Sequence, residues 1–234
     1  MMWPDDVVFL LDVDNTLLDN DRIEADIDNR LESEFGAVGR KRYWKIFEVL
    51  REELGYADYL GALQRYRLID MNNPRLLLMS AFLLGYPFAE RLYPAALDVI
   101  RHLGGLGRTV ILSDGDVVFQ PRKVQRSGLW DAVDGRVLIY IHKEQMLEAI
   151  AQRYPAAHYV MVDDKLRVLQ AMKIALEKRL TTVFVRQGHY ALDPKHIGDY
   201  QKADATIESI GALLDWNSSA ISGNSGPAPL ARQA

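Results

Sequence analysis

The sequence predicts an α/β fold, in which a parallel β-sheet carries helices on both faces and is interrupted by one all-helical segment. Short apolar or β-branched runs alternate with helix-length segments, as they do in strand–helix–strand units. The stretch after the first run, residues 20–93, shows helical patterns without strand signals. The chain has 234 residues, of which 49% are hydrophobic and 26% charged, so it can bury the core that such a sheet needs.

Five buried strands are predicted, because each apolar run is short and is bounded by turn residues or by a helical pattern. They comprise residues 7–11, 109–112, 136–141, 158–162 and 181–186. Single helices at residues 117–127, 143–153 and 165–178 fill three gaps, as expected for right-handed crossovers between parallel strands. Apolar residues at helix-like spacing predict a last helix within residues 205–216, packed on the sheet.

The all-helical segment interrupts the first crossover. Its helical patterns cover residues 23–35, 40–54, 59–69 and 76–84, and a helix at residues 95–103 completes the crossover. We therefore assign residues 1–19 and 94–216 to the core and residues 20–93 to a helical insert, which either closes over a site or forms an independent module for protein contacts. Residues 217–234, rich in Ser, Gly, Pro and Ala, are predicted to form a disordered tail.

The composition excludes several classes of function. The chain has no cysteine, which excludes disulfides, thiolate zinc sites, iron–sulfur clusters and cysteine nucleophiles. Its 28 basic and 32 acidic residues give a net charge of −4, so bulk charge does not attract nucleic acid. No apolar run approaches the length of a membrane span, and the N-terminal residues are unlike a signal peptide. We expect a cytoplasmic protein without nucleic-acid or membrane partners, and the oligomeric state stays open.

The first chemical motif is Asp12-Val13-Asp14-Asn15-Thr16, which directly follows a buried strand. Open α/β sheets bind their ligands at the carboxyl ends of the strands, so both carboxylates are expected at a ligand site. The structural alternative is that Asp14 and Thr16 only cap the segment that follows.

Two further strands end in polar residues. Ser113-Asp114-Gly115 places a hydroxyl and backbone N–H groups where an anion could bind, although Ser113 could instead cap the helix that starts near Asp116. Asp163-Asp164 pairs two like charges, which is costly unless a proton or a cation holds them together. Mg²⁺ fits such a pair because it prefers hard oxygen ligands. The alternative is a solvated acidic start of a helix.

With these motifs in this order, the chain resembles the haloacid dehalogenase superfamily of aspartate-nucleophile phosphotransferases over residues 7–215. In that family the first motif is DxDx[TV], the second an apolar strand ending in Ser or Thr, and the fourth an acidic pair. The matching residues are Asp12, Asp14, Thr16, Ser113, Asp163 and Asp164. The resemblance implies a Rossmann-like three-layer core, and it implies that the insert is the helical cap of the family.

The third motif of the family is a lysine ahead of or early in a helix. Lys143, 20 positions before Asp163, fits this description best, although Glu144 stands where the family commonly has Pro. Lys123 is the alternative, but it lies in the helix after the second motif, where such proteins often carry a surface lysine. The fourth motif also departs from the common form, because Val162 replaces a glycine and the two acids are adjacent.

The resemblance implies a magnesium-dependent phosphatase that hydrolyses a small phosphorylated metabolite. Asp12 would become an aspartyl-phosphate, while Asp14 would protonate the leaving oxygen and later accept a proton from water. The implied metal ligands are Asp12, Asp14, Asp163 and Asp164. Asp14 would offer its main-chain carbonyl as well as its side chain. The implied substrate-binding residues are Asn15, Thr16, Ser113, Asp114, Gly115 and Lys143, together with the backbone N–H groups near Asn15. The resemblance implies a catalytic role for Ser113 and Lys143 as well.

The acid two residues after the nucleophile separates branches of this family. Dehalogenases attack carbon without a metal and lack an acid there, and transport ATPases carry Thr, so Asp14 favours a phosphatase or a phosphomutase. A phosphomutase and a noncatalytic phosphate-binding protein of this fold stay open as alternatives. A receiver domain does not fit, because its acidic pair comes first in the chain and it has no long helical insert.

Overall fold

The computed structural model describes residues 6–217 and contains a six-stranded, all-parallel sheet with helices on both faces, which confirms the predicted α/β fold. The strands are β1 (Val7–Leu11), β2 (Arg108–Asp114), β3 (Val137–Tyr140), β4 (His158–Asp163), β5 (Leu180–Val185) and β6 (Ala205–Ile207). Their spatial order is β3-β2-β1-β4-β5-β6. The five predicted strands are all present, with ends within two residues of the predicted ones.

Strand β1 lies at the centre of the sheet and is buried on both faces. Val7, Phe9 and Leu11 belong to one apolar cluster, and Val8 and Leu10 belong to the other. This alternation follows from the two-residue repeat of a strand, and it explains why an unbroken apolar run is required here.

The chain reverses its direction of winding at β1, which positions the site. Strand β1 pairs with β2 on one side and with β4 on the other, so that Leu11 lies beside both Ile111 and Val162. Ligands of open α/β sheets bind at such a switch point, outside the carboxyl ends of the strands. The residues that follow Leu11 and Val162, which include Asp12 and Asp163, therefore meet at one edge.

Ten α-helices and four short 3₁₀ helices connect or flank the strands within the described residues. The α-helices are α1 (Asn20–Leu54), α2 (Tyr59–Arg67), α3 (Arg75–Gly85), α4 (Ala96–Gly104), α5 (Phe119–Arg126), α6 (Leu129–Ala132), α7 (Leu147–Arg153), α8 (Leu166–Leu176), α9 (Gly188–Leu192) and α10 (Pro194–Ile197). The 3₁₀ helices are Phe88–Arg91, Lys143–Gln145, Glu177–Arg179 and Ile210–Asp215.

The two helices predicted at residues 23–35 and 40–54 form the single long element α1, with a break inside it. Gly36 has φ +68° and ψ 173°, which a residue without Cβ adopts at little cost. Helices α1, α2 and α3 pack against each other. The ring of Tyr59 in α2 lies 5.2 Å from that of Phe119 in α5, so the insert also contacts the core.

The predicted helix within residues 205–216 is wrong. Ala205–Ile207 forms β6, which pairs with β5, and Ile210–Asp215 forms a 3₁₀ helix. The open edge of β5 supplies hydrogen-bond partners that the local sequence does not reveal. The spacing of Ile207, Ile210 and Leu213 also fits the three-residue repeat of a 3₁₀ helix, and Ile210 and Leu213 are buried in the core.

The division into core and insert stays a prediction, although the strands all lie outside residues 20–93. The predicted tail falls, after Asn217, outside the described residues, as do residues 1–5. None of the described helices combines the length and apolarity needed to cross a bilayer.

Candidate active site

Asp12 and Lys143 form a buried ion pair at the end of β1. Asp12 is the first residue after the strand, and Lys143 opens the 3₁₀ helix that follows β3. The Lys143 Nζ lies 2.5 Å from the Asp12 Oδ1 and 2.7 Å from the Asp163 Oδ2, and it also donates to the Leu112 carbonyl at 3.3 Å. The ammonium therefore bridges two carboxylates at the carboxyl ends of adjacent strands, Asp12 just after β1 and Asp163 at the end of β4.

Asp12, Asp163 and Asp164 form a compact acidic group in which one carboxylate oxygen from each residue lies within 4.8 Å of the others. All three are buried. The Asp12 Oδ2 and both carboxylate oxygens of Asp164 have no hydrogen-bond partner among the described residues. Since buried charges are normally paired or bound to metal, these three oxygens leave a place for a cation.

Burial shifts the pKa values of this group. It raises the pKa of Asp12 to about 6, although the Lys143 ammonium acts in the opposite direction. Burial also raises the pKa of Asp164 well above its ordinary range. For Lys143, burial acts to lower the pKa, but the Asp12 and Asp163 carboxylates outweigh it and keep the pKa above its ordinary value.

Asp14 lies in a different environment from Asp12, since a quarter of its side chain is exposed. Its Oδ1 accepts a hydrogen bond from the Lys123 Nζ at 2.7 Å. The Gln120 Nε2 donates to its Oδ2 at 3.3 Å and to the Ser113 Oγ at 2.9 Å. Gln120 thus links the first and second motifs. The Asp14 carboxylate is outside the acidic group, so its predicted role as a metal ligand would fall on its main-chain carbonyl and stays a prediction.

The turn after Asp12 uses Asn15 to start helix α1. Asn15 has φ +59°, and its Oδ1 accepts hydrogen bonds from the backbone N–H groups of Asn20 and Asp21. Its own N–H donates to the Leu18 carbonyl, and the N–H of Thr16 donates to the Val13 carbonyl. The prediction that backbone N–H groups near Asn15 hold phosphoryl oxygens is therefore not supported at these two amides, because the turn already occupies them.

The second motif lies at the same edge. Ser113 is buried, and Asp114 accepts a hydrogen bond from the backbone N–H of Lys143 at 2.7 Å. In the turn that leads into α5, the side chain that accepts from the N–H groups of Val118 and Phe119 is that of Asp116, not Ser113. The capping alternative for Ser113 is thereby removed.

A cavity of about 350 Å³ lies beside these residues. Core residues on its wall include Asp14, Asn15, Asp114 and Gly115, and residues from the insert also contribute. The insert contributes Asn20, Glu24, Phe47, Arg51, Gly55, Tyr56, Ala57 and Tyr59. Asp12, Thr16, Ser113 and Lys143 are not on this wall, and each is almost without solvent exposure. The cavity is of a size that suits a small molecule.

The structure corrects the view of Lys123 as a surface lysine and adds two residues that the sequence reasoning missed. Lys123 is buried and lies with Gln120 on the inner face of α5, three positions apart. Lys165 follows the acidic pair and lies on the cavity wall. In the sequence, the three-residue spacing of Gln120 and Lys123 could have indicated that the two lie on one face of a helix. The position of Lys165 directly after Asp164 could have indicated that it lies near the site.

Replacing Asp164 by Asn should stabilise the metal-free protein at neutral pH. Because the pKa of Asp164 is raised on folding, its contribution favours the folded state below its ordinary pKa of 3.8 and is lost as the pH rises through the folded value. Thermal melts in chelator should show a higher Tm for Asp164→Asn at pH 7, by about 2–4 °C for each kcal/mol gained. The difference should shrink as the pH falls towards 3.8.

The same variant tests metal binding by this carboxylate. Added Mg²⁺ should raise the Tm of the parent protein but should raise that of Asp164→Asn much less. Asp98→Asn, which changes an exposed residue of α4, is the matched control and should respond to Mg²⁺ as the parent does. An equal response of Asp164→Asn and the parent to Mg²⁺ would contradict the assignment.

Known proteins resemble this chain in sequence and in fold. The family model of haloacid dehalogenase-like hydrolases matches residues 7–175. The crystal structure of a haloacid dehalogenase-like hydrolase from Burkholderia xenovorans LB400 has 66% sequence identity and a TM-score of 0.86, and the match covers 91% of this chain and 99% of that one. No protein of curated function matches the sequence.

More distant structures share the fold alone. L-2-haloacid dehalogenase from Xanthobacter autotrophicus has 18% identity and a TM-score of 0.57, with 88% of this chain and 96% of that one covered. The magnesium-bound HAD-hydrolase YfnB from Bacillus subtilis has 18% identity and a TM-score of 0.55, with the same coverage. The family model and the Burkholderia structure together show that this chain belongs to the haloacid dehalogenase-like hydrolases.

Proposed function

We propose that the protein is a magnesium-dependent phosphatase, which hydrolyses a small phosphate monoester through an aspartyl-phosphate on Asp12. One observation carries the proposal: two carboxylates at the end of β1 lie in different environments. Asp12 is buried against Lys143, whereas Asp14 is partly exposed on the cavity wall. Hydrolysis through a covalent intermediate needs such a nucleophile and a separate acid–base group.

In the first half of the reaction, a carboxylate oxygen of Asp12 attacks phosphorus. The bond from this oxygen to phosphorus forms while the bond between phosphorus and the ester oxygen breaks. The Lys143 Nζ, held against the Asp12 Oδ1, offsets the repulsion between the carboxylate and the incoming anion. Asp14 donates a proton to the ester oxygen, which leaves as an alcohol.

In the second half, a water molecule attacks the phosphorus and transfers a proton to Asp14. The bond between phosphorus and the Asp12 oxygen breaks, which releases inorganic phosphate and restores the Asp12 carboxylate. Gln120 and Lys123 hold the two oxygens of Asp14 through both halves. Because one carboxyl group serves as acid and then as base, no further proton carrier is required.

The donor set fits Mg²⁺. The unpartnered oxygens of Asp12 and Asp164 are hard ligands of the kind that Mg²⁺ prefers, and Asp163 lies in the same group. Both oxygens of Asp163 already have neighbours, the Lys165 backbone N–H and the Lys143 Nζ, which makes Asp164 the stronger candidate of the acidic pair. When bound, the ion supplies positive charge that neutralises a phosphoryl group.

Two other reactions on this fold make different demands. Dehalogenation attacks carbon and needs neither a metal nor an acid at position 14, so Asp14 and the unpartnered Asp164 favour phosphoryl transfer. A phosphomutase would pass the phosphoryl group to a second substrate hydroxyl, and it differs from a phosphatase only in this acceptor. We favour water, because the insert shows no pattern typical of sugar binding beyond scattered Arg and Tyr residues.

A screen of phosphate monoesters, with Mg²⁺ or with chelator, tests the proposal. Inorganic phosphate should be released from at least one ester, and chelator should abolish the release. In the same screen, 2-haloacids should release no halide. Halide release without metal would establish dehalogenation instead, and an isomerised phosphate ester with little free phosphate would establish a phosphomutase.

A further inference from the structure

Lys165 is a half-buried cation on the cavity wall, next to the acidic group but outside its ion pair. Its Nζ lies over the ring of Tyr190, 4.8 Å from the ring centroid. No carboxylate oxygen of residues 6–217 lies within 4.0 Å of this Nζ. One side of the ammonium is therefore covered by an aromatic face. The carboxylates of Asp164, Asp12 and Asp163 attract its charge from a longer distance, but none of them is hydrogen-bonded to it.

The other buried lysines of the site are already paired. Lys143 is held by Asp12 and Asp163, and Lys123 is held by Asp14. Lys165 is thus the partly buried cation of this region whose hydrogen-bond donors are left for a ligand.

The acidic groups on the cavity wall do not compete for Lys165, because each has a partner of its own. Asp14 accepts from Lys123 and Gln120, Asp114 from the backbone of Lys143, and Glu24 from the Tyr59 hydroxyl at 2.8 Å.

The wall around Lys165 is rich in further donors. The side chains of Arg51, Tyr190 and Lys195 lie on the same cavity. The Arg51 Nη2 donates to the Tyr190 hydroxyl at 2.5 Å, which joins the end of α1 to α9 and leaves the hydroxyl proton of Tyr190 available. Two cations, Lys165 and Arg51, thus lie against Tyr190, and a pair of cations beside a phenol suits an anion.

We infer that Lys165 binds a second anionic group of the substrate, so that the enzyme prefers phosphate monoesters that also carry a carboxylate or a second phosphate. This rests on the proposed phosphatase function and names its substrate class. The reacting phosphoryl group belongs to Asp12 and Lys143, while the second anion is bound by the side of the Lys165 ammonium that the Tyr190 ring does not cover. The specificity therefore comes from the core segment after β4 and β5 as well as from the insert.

Matched esters test this inference. Propyl phosphate and 2-carboxyethyl phosphate differ only in a methyl or a carboxylate at the far end, and 1,3-propanediol bisphosphate carries a phosphate there. Homologous pairs with one carbon fewer or more cover other spacings. The parent enzyme should prefer the anionic member of at least one pair by about tenfold in kcat/KM, chiefly through KM, as a charge-assisted hydrogen bond provides.

Lys165→Met should reduce this preference to about threefold or less, while Lys165→Arg should retain most of it. Lys178→Met, at an exposed lysine beyond the opposite end of helix α8 from Lys165, is the control and should keep the full preference. Thermal melts of all variants check that they are folded.

Three results would overturn the inference. The first is a parent enzyme that shows no preference within any pair of esters. The second is a Lys165→Met variant that retains the preference. The third is a Lys165→Met variant whose kcat/KM falls equally for both members of a pair, which would assign Lys165 to the reacting phosphoryl group. In each case the enzyme would still be a phosphatase. Release of phosphate from no ester at all would instead refute the proposed function and the inference with it.

Discussion

Replacing Asp12 by Asn should lower the rate of phosphate release by about three orders of magnitude or more, because an amide cannot form the covalent bond to phosphorus. Asn has nearly the shape of Asp and keeps a carbonyl oxygen for the Lys143 Nζ. The fold should therefore persist. The measurement is kcat on the best ester of the screen, with a thermal melt of the variant beside it.

Asp98→Asn makes the same chemical change at an exposed position of α4, where the side chain contacts only Arg101 among the described residues. Its kcat should equal that of the parent. If Asp12→Asn kept more than about a tenth of the parent rate while folded, the assignment of Asp12 as nucleophile would be wrong.

Replacing Asp14 by Asn should have an effect that depends on the leaving group. Alkyl phosphates need a proton on the departing oxygen, so their turnover should fall by about 10² to 10⁴, the range of general acid–base catalysis. p-Nitrophenolate leaves without a proton, so the first step on p-nitrophenyl phosphate should stay fast. Hydrolysis of the aspartyl-phosphate, which needs Asp14 as a base, should then become limiting.

Rapid-mixing kinetics separate these steps. Asp14→Asn should release one equivalent of p-nitrophenolate in a burst and then turn over slowly. The Asn carbonyl can still accept from Lys123, which limits any loss of stability, and a thermal melt checks this. Equal losses on alkyl and p-nitrophenyl esters, with no burst, would show that Asp14 is not the acid and base.

The strands and the main carboxylates could be predicted because their signals are local. A short, unbroken apolar run such as Val7–Leu11 is typical of a strand that is buried on both faces of a sheet. The residue after such a strand lies at the carboxyl end of the sheet, where ligands bind. Asp12 and Asp163 could therefore be placed near each other from the sequence alone. In the structure, Lys143 forms ion pairs with both of these carboxylates, and its alternative, Lys123, forms an ion pair with Asp14.

The remainder of the site depends on packing that a local pattern alone cannot predict. Burial of Lys123 and Gln120 follows from which face of α5 turns towards the core, and both residues look like surface residues in the sequence. The occupied N–H of Asn15 depends on how the turn closes on Leu18. Strand β6 depends on the free edge of β5, which exists only after the sheet has formed.

The most direct test of the central claim is to find the phosphoryl group on Asp12. Asp14→Asn is mixed with p-nitrophenyl phosphate and Mg²⁺, quenched in acid after the burst, digested, and analysed by mass spectrometry. The account predicts that the peptide containing Asp12 gains the mass of one phosphoryl group, on that residue, in proportion to the burst. A phosphoryl group on another side chain, or an unmodified Asp12 peptide after a full burst, would contradict it.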